Sequence, residues 1–518
     1  MKREDVIIKI TTQRLWDVLV IGGGATGLGI ALEACTRGYS TLLVEQSDFA
    51  KSTSGKSTKL VHGGVRYLAQ GNVSLVREAS VERGLLFKNA PHLVKNQTFI
   101  IPVYNRWSRL KYTLGLKLYD WISGRLSLGS SVFISRKKVL EKLPGIIPKN
   151  LFGGILYHDG QFDDARLAIN LAQTIFDNRG YAINYLKVES LLKNNEKVCG
   201  VMVTDAETGQ HFAIKSKVVI NATGVFVDDI LKMDNPVSKK NIALSQGVHL
   251  VLSKKFFPGE DALMIPETSD GRVLFIVPWH GSLLVGTTDT PVENITLEPV
   301  ALEKEIEFIL HTAAAYLTLA PKRKDILSVF AGLRPLAAAK EKRIATREIS
   351  RGHKIIISPS GLFTIIGGKW TTYRKMGEDM VDKVEKESGW KQTITRTGSM
   401  RIHGFVDRES PGDPLYYYGS DKASIDKIIK ETGNEWISKK LNVHKAQVLW
   451  AVREEMARTV EDVLSRRTRA LLLDAKESLR IAPVVAAIMA LEMNLNLLWI
   501  EEQLKKFNEV AKNYIIDN

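Results

Sequence analysis

The sequence predicts a mixed α/β (α+β) fold in which a dinucleotide-binding sheet is joined by an antiparallel-sheet domain and a C-terminal helical domain. Three observations lead to this prediction. A glycine-rich turn follows an apolar run near the start of the chain, strand-like alternation fills residues 241–290, and strand patterns mostly vanish after about residue 390. The chain has 518 residues, of which 44% are hydrophobic, so it is long enough for two or three domains with ample cores.

The N-terminal turn carries the strongest of these signals. Residues 18–21 form an apolar run typical of a buried parallel strand, and Gly22, Gly24 and Gly27 then occupy the glycine positions of G-x-G-x-x-G. A helix is expected from about residue 25 to residue 38. Gly22 permits the tight turn, Gly24 lets the backbone approach a pyrophosphate, and Gly27 lets the helix pack on the sheet. The N–H groups at the helix N-terminus then face the phosphates, as in a Rossmann-like domain.

An acidic residue at the end of the next strand supports this interpretation. The apolar run 41–44 ends in Glu45, eighteen residues after Gly27, where a carboxylate accepts hydrogen bonds from the adenosine ribose and disfavours a 2′-phosphate. Residues 55–57 read Gly-Lys-Ser, like the end of a P-loop. Ala50, however, stands where a P-loop requires glycine, and no strand comes directly before it. We therefore expect neither NADP nor ATP at these turns.

Charge and cysteine content narrow the class of protein. The formal net charge of +15 suits nucleic acid, an anionic membrane surface or an anionic substrate, but the basic residues are spread along the chain without an RNA-binding motif. We therefore expect no nucleic-acid partner. Cys35 and Cys199 lack CxxC spacing, which favours a reducing compartment and argues against disulfides and against zinc or iron–sulfur centres. No metal is expected.

The sequence predicts no signal peptide and no membrane span. Residues 1–16 are charged and lack an apolar core, and residues 1–15 are expected to be a short lead-in to the first strand. The most apolar stretch, residues 481–500, contains Pro483 and Glu492 and is interpreted as a helical core segment. The segment 105–128 interleaves five cations with Trp107, Tyr112 and Trp121, a pattern typical of a membrane-interface helix or of a helix packed on the protein's own core.

The remaining elements follow in order from periodicity. Helices are expected over residues 75–90, 163–179 and 303–319, and a strand over 97–101 between two prolines. Residues 182–220 are strand-rich and end in a third buried parallel strand, 218–220, followed by Asn-Ala-Thr-Gly. Strands over 355–357 and 362–366 lead into a second glycine–helix junction at 367–374, whose N–H groups are expected at a ligand. Helices are expected over 421–432 and 445–469.

Six motifs occur in a fixed order along the chain. They are GGGATG at 22–27, STKLVHGGVRYL at 57–68, NATG at 221–224, GTTD at 286–289, GLRPL at 332–336 and GGKWTTYR at 367–374. Together they resemble the FAD-dependent glycerol-3-phosphate dehydrogenase family, within the D-amino-acid-oxidase-like superfamily. The resemblance covers nearly the whole chain, including ARTVEDVLSRRTRALLLD at 457–474.

The resemblance implies FAD as cofactor and the oxidation of sn-glycerol 3-phosphate to dihydroxyacetone phosphate. Electrons pass to membrane quinone in such proteins, or to oxygen in an oxidase branch. An insertion associated with some oxidases is not evident here, which favours a dehydrogenase. A cytoplasmic protein on the inner face of the cell membrane is therefore expected, attached peripherally through its anionic lipids. The protein is also expected to form a homodimer. The residues alone do not decide whether the electron acceptor is quinone or oxygen.

The fingerprint and the resemblance together imply three sets of site residues. FAD contacts are expected at Gly22, Gly24, Ala25, Thr26, Gly27, Glu45, Gln46, Thr53, Ser54, Ser57, Thr58, Lys59, Gly63, Gly64, Ala222, Thr223, Gly224, Gly368, Lys369, Thr371 and Thr372. Substrate contacts are expected at Arg66, Tyr67, Thr287, Thr288, Arg334 and Lys369. The residues expected to act at the reacting carbon are His62, Arg334 and Lys369.

The chemistry requires these residue types independently of the resemblance. A phosphate dianion favours the fork of an arginine such as Arg334, together with a lysine and hydroxyl donors. Hydride transfer from carbon 2 requires removal of the hydroxyl proton, for which a neutral His62 is a candidate base. Lys369 is a candidate to stabilise the negative charge that the reduced flavin gains. The alternatives are that His62 only packs against the flavin and that Arg66 and Arg334 are salt-bridged cations.

Two other functions compete with this one. A flavin oxidase of the same superfamily that acts on an amino or hydroxy acid would keep the glycines but need a carboxylate site. The second alternative is a non-catalytic flavin-binding protein, or a nucleic-acid-binding flavoprotein served by the net charge of +15, although the basic residues show no RNA-binding motif. The predicted domains are FAD-binding parts at 1–95, 156–235 and 346–390, a substrate-domain insertion at 96–155, a substrate-binding domain at 236–345 and a helical domain at 391–518.

Overall fold

The computed structural model describes residues 1–64, 72–268, 271–337, 352–407 and 412–516. The helices in these ranges are α1 (Arg3–Thr12), α2 (Ala25–Thr36), α3 (Val73–Asn89), α4 (Arg106–Ser123), α5 (Arg136–Lys142), α6 (Asp164–Asp177), α7 (Val227–Asp234), α8 (Glu303–Ala314), α9 (Tyr373–Glu387), α10 (Lys422–Thr432), α11 (Lys445–Glu454), α12 (Ala470–Leu473), α13 (Ala475–Glu492) and α14 (Leu497–Lys512). No helix within these ranges combines the length and apolar character that crossing a membrane requires.

The strands of the described residues form two large sheets and one small hairpin. They are β1 (Trp16–Ile21), β2 (Thr41–Val44), β3 (Leu60–Val61), β4 (Val94–Val103), β5 (Val132–Ser135), β6 (Gly153–Phe162), β7 (Tyr181–Ile183), β8 (Leu186–Asn194), β9 (Lys197–Asp205), β10 (His211–Asn221), β11 (Ile242–Ser253), β12 (Ala262–Ile265), β13 (Leu274–Trp279), β14 (Ser282–Gly286), β15 (Thr290–Val292), β16 (Ile326–Ala337), β17 (His353–Ile357), β18 (Phe363–Gly367), β19 (Trp436–Ser438) and β20 (Val443–His444).

The first sheet is the predicted dinucleotide-binding sheet, and its parallel core is confirmed. Its strand order is β17-β18-β10-β1-β2-β7, with β9 pairing β10 and β8 pairing β9. Val18 of β1 lies opposite Thr41 on one side and Val218 on the other, both in parallel register. The side chains of β2 are all buried, as expected for a parallel strand covered on both faces. The carboxyl ends of β1, β2, β10 and β18 therefore meet at one edge.

The second sheet has ten strands and is almost wholly antiparallel. Its order is β15-β11-β14-β13-β12-β4-β6-β3, with β16 on β11 and β5 on β6. The pairing of β4 with β12 is the parallel exception. The antiparallel pairing of β11 with β16 places Ser245 opposite Arg334 and Gly247 opposite Gly332. Strand β4 is longer than predicted, because it continues through Pro102, which lies opposite Gly154 of β6.

Two secondary-structure predictions were wrong, and a third was correct only in part. The N-terminal lead-in is a helix, α1, whose Arg3 side chain is bonded to Asp205. The single helix predicted over 445–469 is interrupted, since α11 ends at Glu454, Met456 has a φ of 52°, and a π-helical turn occupies Asp462–Arg467. The segment 481–500 is helical as predicted, but in two parts, because α13 ends at Glu492 and α14 begins at Leu497.

A buried cluster of ion pairs joins the C-terminal helices to the first sheet. Asp48, in the loop after β2, accepts hydrogen bonds from Arg466 (Nε to Oδ2, 2.5 Å) and from Arg467 (Nη2 to Oδ1, 3.0 Å). The Arg467 side chain is fully buried. Burial opposes ionisation of Asp48, but the two guanidinium groups outweigh it and lower the pKa of this carboxyl to about 2. Nearby, Arg166 of α6 pairs with Glu455, and Arg469 pairs with Asp163.

We expect Asp48→Asn to lower the free energy of unfolding by about 3–5 kcal/mol, because two buried guanidinium groups lose their shared carboxylate. Chemical denaturation followed by circular dichroism measures this change. Glu267→Gln is the matched control, since its partner Lys111 and Glu267 itself are exposed, and a surface pair contributes below about 1 kcal/mol. Equal losses in the two variants would contradict the structural role of the cluster.

A second ionic contact, at His403, makes the fold sensitive to pH. The ring lies between Asp177 of α6 (Nδ1 to Oδ2, 2.8 Å) and Asp421 (Nε2 to Oδ2, 3.2 Å). Burial opposes protonation, but the two carboxylates outweigh it and raise the pKa of His403 to about 9. The protonated ring therefore stabilises the native state below the unfolded pKa of about 6.5, and this stabilisation is lost as the pH rises through about 9.

We expect the melting temperature to fall between pH 7 and pH 10 by more in the native protein than in His403→Gln. The contribution lost is on the order of 2 kcal/mol. Differential scanning fluorimetry across this range measures it. His211→Gln is the control, because His211 is an exposed histidine whose ring contacts the Thr204 hydroxyl and, among the described residues, no carboxylate. If His403→Gln and His211→Gln follow the same pH curve, the assigned contact does not act as described.

Candidate active site

A cavity of about 650 Å³ lies where the carboxyl edge of the first sheet meets the second sheet. Its volume is within the range of about 300–1,000 Å³ that is usual for ligand sites. The first sheet contributes the ends of β1, β2, β10 and β18, and the second sheet contributes residues of β11, β13 and β16. The predicted site residues that line it are Gly22, Gly24, Ala25, Thr26, Glu45, Gln46, Thr53, Ser54, Ser57, Thr58, His62, Gly64, Ala222, Thr223, Gly224, Thr287, Thr288, Arg334, Gly368, Lys369 and Thr371.

The first glycine turn shapes one end of the cavity. Gly22 has a φ of 111°, and a Cβ there would lie 2.7 Å from the Ala222 carbonyl oxygen, so glycine is required. Gly27 is not among the described lining residues. A Cβ on it would overlap the carbonyl oxygen of Gly22, so its role is to bring α2 close to β1. The N-terminus of α2 therefore points into the cavity at Gly24 and Ala25.

Glu45 is held at the end of β2 by the backbone. Its carboxylate accepts hydrogen bonds from the N–H groups of Gly23 (2.6 Å) and Ser47 (2.8 Å). Burial, the largest cause, raises the pKa of Glu45, and the two backbone N–H groups oppose that shift. The carboxylate is therefore fixed at the cavity wall, as predicted for a residue that contacts a ribose.

The loop after β2 forms a second wall, although one predicted contact points away from the cavity. The Ser54 hydroxyl accepts from the Ala25 N–H (3.0 Å), and the Ser54 carbonyl accepts from Trp370 Nε1 (2.8 Å). Through Ser54 the loop thus contacts both the first glycine turn, at Ala25, and the second glycine junction, at Trp370. Lys59 is fully buried, and its ammonium bonds both oxygens of Asp164 at 2.7 Å. Because that ion pair engages its charge, Lys59 supports the loop from behind the cavity and is not among the described lining residues.

Residues 62–64, His-Gly-Gly, are called the HGG segment, and this segment differs from the prediction at its first glycine. Gly63 was expected to face a flat ligand, but a Cβ on it would lie 2.6 Å from Ser80 Oγ and would overlap the Tyr119 hydroxyl. Gly63 therefore packs against protein, whereas His62 and Gly64 line the cavity. Arg66 and Tyr67, the predicted phosphate ligands that follow, lie outside the described residues.

Arg334 of β16 lies at the second-sheet end of the cavity. It donates hydrogen bonds from Nη1 to the Thr288 carbonyl (3.1 Å) and from Nη2 to Thr287 Oγ1 (3.1 Å). Asp289 Oδ1 lies 3.6 Å from Nη1. Gly247 makes room for this arrangement, because a Cβ there would lie 2.6 Å from the Arg334 Cζ atom. These contacts fix the plane of the guanidinium at the cavity wall.

Both predicted threonine ligands have their hydroxyls engaged within the protein. The Thr288 hydroxyl accepts from the Val248 N–H (2.9 Å) and donates to Glu305 Oε1 (2.8 Å). Glu305 is buried and also accepts from Thr290 Oγ1 (2.6 Å) and Gln246 Nε2 (2.8 Å). The Thr287 hydroxyl accepts from Arg334 Nη2 and donates to the Thr288 carbonyl (3.3 Å), so it orients Arg334, whereas Thr288 holds the loop.

The second glycine junction brings Lys369 and Thr371 to the same cavity. Lys369 precedes a 3₁₀ turn, Trp370–Thr372, which leads into α9. Thr371 Oγ1 accepts from the His62 N–H (3.3 Å), so this junction contacts the HGG segment directly. Thr372 is buried behind the turn, where its hydroxyl donates to the Lys369 carbonyl (3.4 Å), and it is not among the described lining residues.

His249 is the main lining residue that the sequence did not predict. Its Nε2 atom lies 2.9 Å from Thr58 Oγ1, and its ring stacks on Phe330 with centroids 5.0 Å apart. Burial, followed by the charges of Arg334 and Lys59, lowers the pKa of His249 well below its usual value, so the ring is neutral. The sequence signal was a glycine on the neighbouring strand. Gly286 pairs with His249 in register, and a Cβ at Gly286 would lie 2.5 Å from the imidazole, so glycine is needed there.

The described residues fit FAD. The cradle at Gly22 and Gly24, the α2 N-terminus and the fixed Glu45 carboxylate are the parts that a dinucleotide requires. The second junction, at Gly368 to Thr371, lies on the same cavity and can present backbone to a flat ring. The cavity then continues to Arg334, which leaves a cationic corner for a second, anionic ligand.

Comparison with known proteins agrees with this geometry. Residues 17–374 match the family of FAD dependent oxidoreductases, and residues 364–500 match the C-terminal domain of alpha-glycerophosphate oxidase. The chain is 37% identical to the mitochondrial glycerol-3-phosphate dehydrogenase of Homo sapiens, covering 99% of this chain and 75% of that protein. It is 34% identical to the corresponding Saccharomyces cerevisiae protein, over 99% and 91% of the two chains.

Solved structures give the same result. The glycerol-3-phosphate dehydrogenase from Bacillus halodurans, complexed with FAD, superposes with a TM-score of 0.78 at 30% identity, covering 99% of this chain and 98% of that one. The L-alpha-glycerophosphate oxidase from Mycoplasma pneumoniae shares the fold, with a TM-score of 0.57 at 18% identity over 75% and 99% of the chains. The chain therefore belongs to the family of FAD-dependent glycerol-3-phosphate dehydrogenases.

Proposed function

We propose that the protein oxidises sn-glycerol 3-phosphate to dihydroxyacetone phosphate and passes the electrons to a membrane quinone. One observation carries the proposal: a cationic corner at Arg334 and an imidazole at His62 line the same cavity as both glycine junctions. The names of the relatives support the substrate. A flavin oxidase for an amino or hydroxy acid remains the alternative within the same fold.

The cationic corner suits a phosphate dianion. The Arg334 guanidinium is oriented by Thr287 and Thr288, and an oriented fork matches two phosphate oxygens without further loss of side-chain entropy. Lys369 lines the same cavity and adds a point charge. Asp289 Oδ1 lies 3.6 Å from Arg334 Nη1 and offsets part of its positive charge, so Lys369 is needed beside Arg334 to hold a dianion.

The proton of the substrate hydroxyl requires a base beside carbon 2. His62 lines the cavity at the end of β3, and its backbone is held by Thr371. His249 is neutral but hydrogen-bonded to Thr58, so we assign the base to His62 and a packing role to His249. Bound FAD supplies the hydride acceptor. In this assignment the chain orients the substrate through its phosphate and removes one proton.

We expect Arg334→Ala to raise the KM for glycerol 3-phosphate by about 30-fold, which corresponds to about 2 kcal/mol, because a charge-assisted pair to an anion is lost. Arg334→Lys should recover part of the affinity, since it keeps the charge without the fork. Flavin content should stay near that of the native protein. Steady-state dye reduction measures KM, and Arg480→Ala, at an exposed arginine on α13, is the control. An unchanged KM in Arg334→Ala would place the phosphate elsewhere.

An apolar branch of the cavity supports a lipophilic acceptor. Its walls include Phe99, Tyr157, Met264 and Phe275. These side chains belong to the same apolar cluster as Leu116 and Tyr119, on the inner face of α4. These apolar residues therefore pack with the inner face of a surface helix, which supports access for a quinone from a bilayer on that side. Oxygen needs no such branch, so we favour quinone.

The outer face of α4 supports attachment to a membrane surface. Trp107 and Trp121 are 82% and 77% exposed, and Leu110, Leu114 and Leu118 complete one exposed stripe at helical spacing. The exposed cations Arg106, Arg109, Lys111 and Lys117 flank that stripe. An apolar stripe with flanking cations fits an anionic lipid surface, because the rings enter the interface while the cations meet headgroups. The stripe supports peripheral attachment to a membrane, and the inner face of the cell membrane is the location that the family resemblance implies.

We expect the protein to sediment with anionic vesicles and to be released by salt, since each cation near the surface contributes roughly 1 kcal/mol. Replacing Trp107 and Trp121 together by Ser should weaken binding without loss of flavin. The control replaces Leu497 and Leu498 by Ser, because these side chains are equally exposed but lie on α14. If only the control loses binding, or if the native protein stays in the supernatant at low salt, α4 is not the docking face.

A further inference from the structure

The backbone of the HGG segment is held by two side chains from different parts of the fold. The His62 N–H donates to Thr371 Oγ1 (3.3 Å), and the Gly63 N–H donates to the hydroxyl of Tyr119 (3.0 Å). Tyr119 belongs to α4, and it lies on the opposite side of that helix from the exposed stripe, with only 2% of its surface accessible. A surface helix thus reaches the segment that carries the candidate base.

The Tyr119 hydroxyl is itself fixed by two charged groups. It accepts from Arg83 Nη1 (2.8 Å) and donates to Asp159 Oδ2 (3.1 Å), while Arg83 also donates from Nη1 to Asp159 Oδ1 (2.6 Å). Burial, followed by the negative charge of Asp159, raises the pKa of Tyr119, so the phenol stays protonated. The hydroxyl proton is therefore directed at Asp159, and the oxygen lone pairs face Arg83 and Gly63.

The sequence of the segment matches this contact. A Cβ on Gly63 would overlap the Tyr119 hydroxyl and would lie 2.6 Å from Ser80 Oγ, so glycine at this position is set by Tyr119 and Ser80. The contact is close enough that the peptide between His62 and Gly63 cannot turn without breaking it. Since that peptide carries the His62 carbonyl, its orientation limits where the imidazole can point.

We propose that Tyr119 is a positioning residue for catalysis, which holds the Gly63 peptide and thereby aims His62 at the reacting carbon. The proposal rests on the proposed role of His62 as the base. Arg83 and Asp159 act through Tyr119, because they fix the direction of its hydroxyl. Displacing a catalytic group by about 1 Å can lower turnover by as much as 100-fold, so the loss of one such contact has a measurable effect.

Tyr119→Phe tests the contact, because it keeps the ring and removes only the hydroxyl. We expect kcat to fall about ten-fold, with KM for glycerol 3-phosphate changed less than about three-fold and flavin content unchanged. Anaerobic mixing with substrate, followed through the flavin absorbance, should show the same fall in the rate of flavin reduction. Tyr112→Phe is the matched control: it lies on the same helix, and in the described structure its hydroxyl makes no bond to residues 62–64.

A double-mutant cycle separates positioning from a general structural effect. If Tyr119 acts through His62, Tyr119→Phe should cause no further loss of kcat in a His62→Asn background. A full additional ten-fold loss there, or a kcat for Tyr119→Phe equal to that of Tyr112→Phe, overturns the proposal. A His62→Asn variant with native kcat instead overturns the assignment of the base, whatever Tyr119 does.

If Tyr119→Phe fails to retain flavin, Gly63→Ala tests the same contact from the other side, and native kcat in that variant contradicts the proposal.

Discussion

The pairing of Asp48 with Arg466 and Arg467 is the contact on which the arrangement of the domains depends. Asp48 lies between the dinucleotide turn and the loop that lines the cavity, and both arginines belong to the π-helical turn of the C-terminal region. A buried charge requires its partner, so neither side can move alone. The C-terminal helices are thereby fixed against the cofactor loop, and their core also includes Trp279 and Phe330 of the second sheet.

The two sheets contribute different kinds of group to the cavity. The first sheet supplies helix N-termini and glycine turns, which bind phosphates and flat rings through the backbone. The second sheet supplies side chains: Arg334 from β16 and Thr287 from the loop after β14. The HGG segment lies between them and is held from both sides, by Thr371 and by Tyr119. In the proposed assignment, cofactor binding is therefore mainly a backbone function, and substrate selection is mainly a side-chain function.

The sequence predicted what local pattern can specify. Gly22, Gly24 and Glu45 are separated by fixed short distances, so one strand–turn–helix unit places them together, and the two sheets followed from periodicity. Contacts between distant residues were not predictable in this way. Gly63 meets Tyr119 at a separation of 56 residues, and Lys59 meets Asp164 at 105. The motifs predict ligand contacts for both residues, because a glycine or a lysine in a motif does not reveal which partner occupies the space beside it.

The exposed stripe on α4 has a consequence for how the protein behaves in water. An apolar surface of this kind promotes self-association, and the cations that flank it, together with the net charge of +15, oppose close approach of two molecules. Salt screens that repulsion but leaves the apolar attraction in place. Colloidal stability of the lipid-free protein therefore falls as ionic strength rises, the reverse of the salting-in usual for a protein near its isoelectric point.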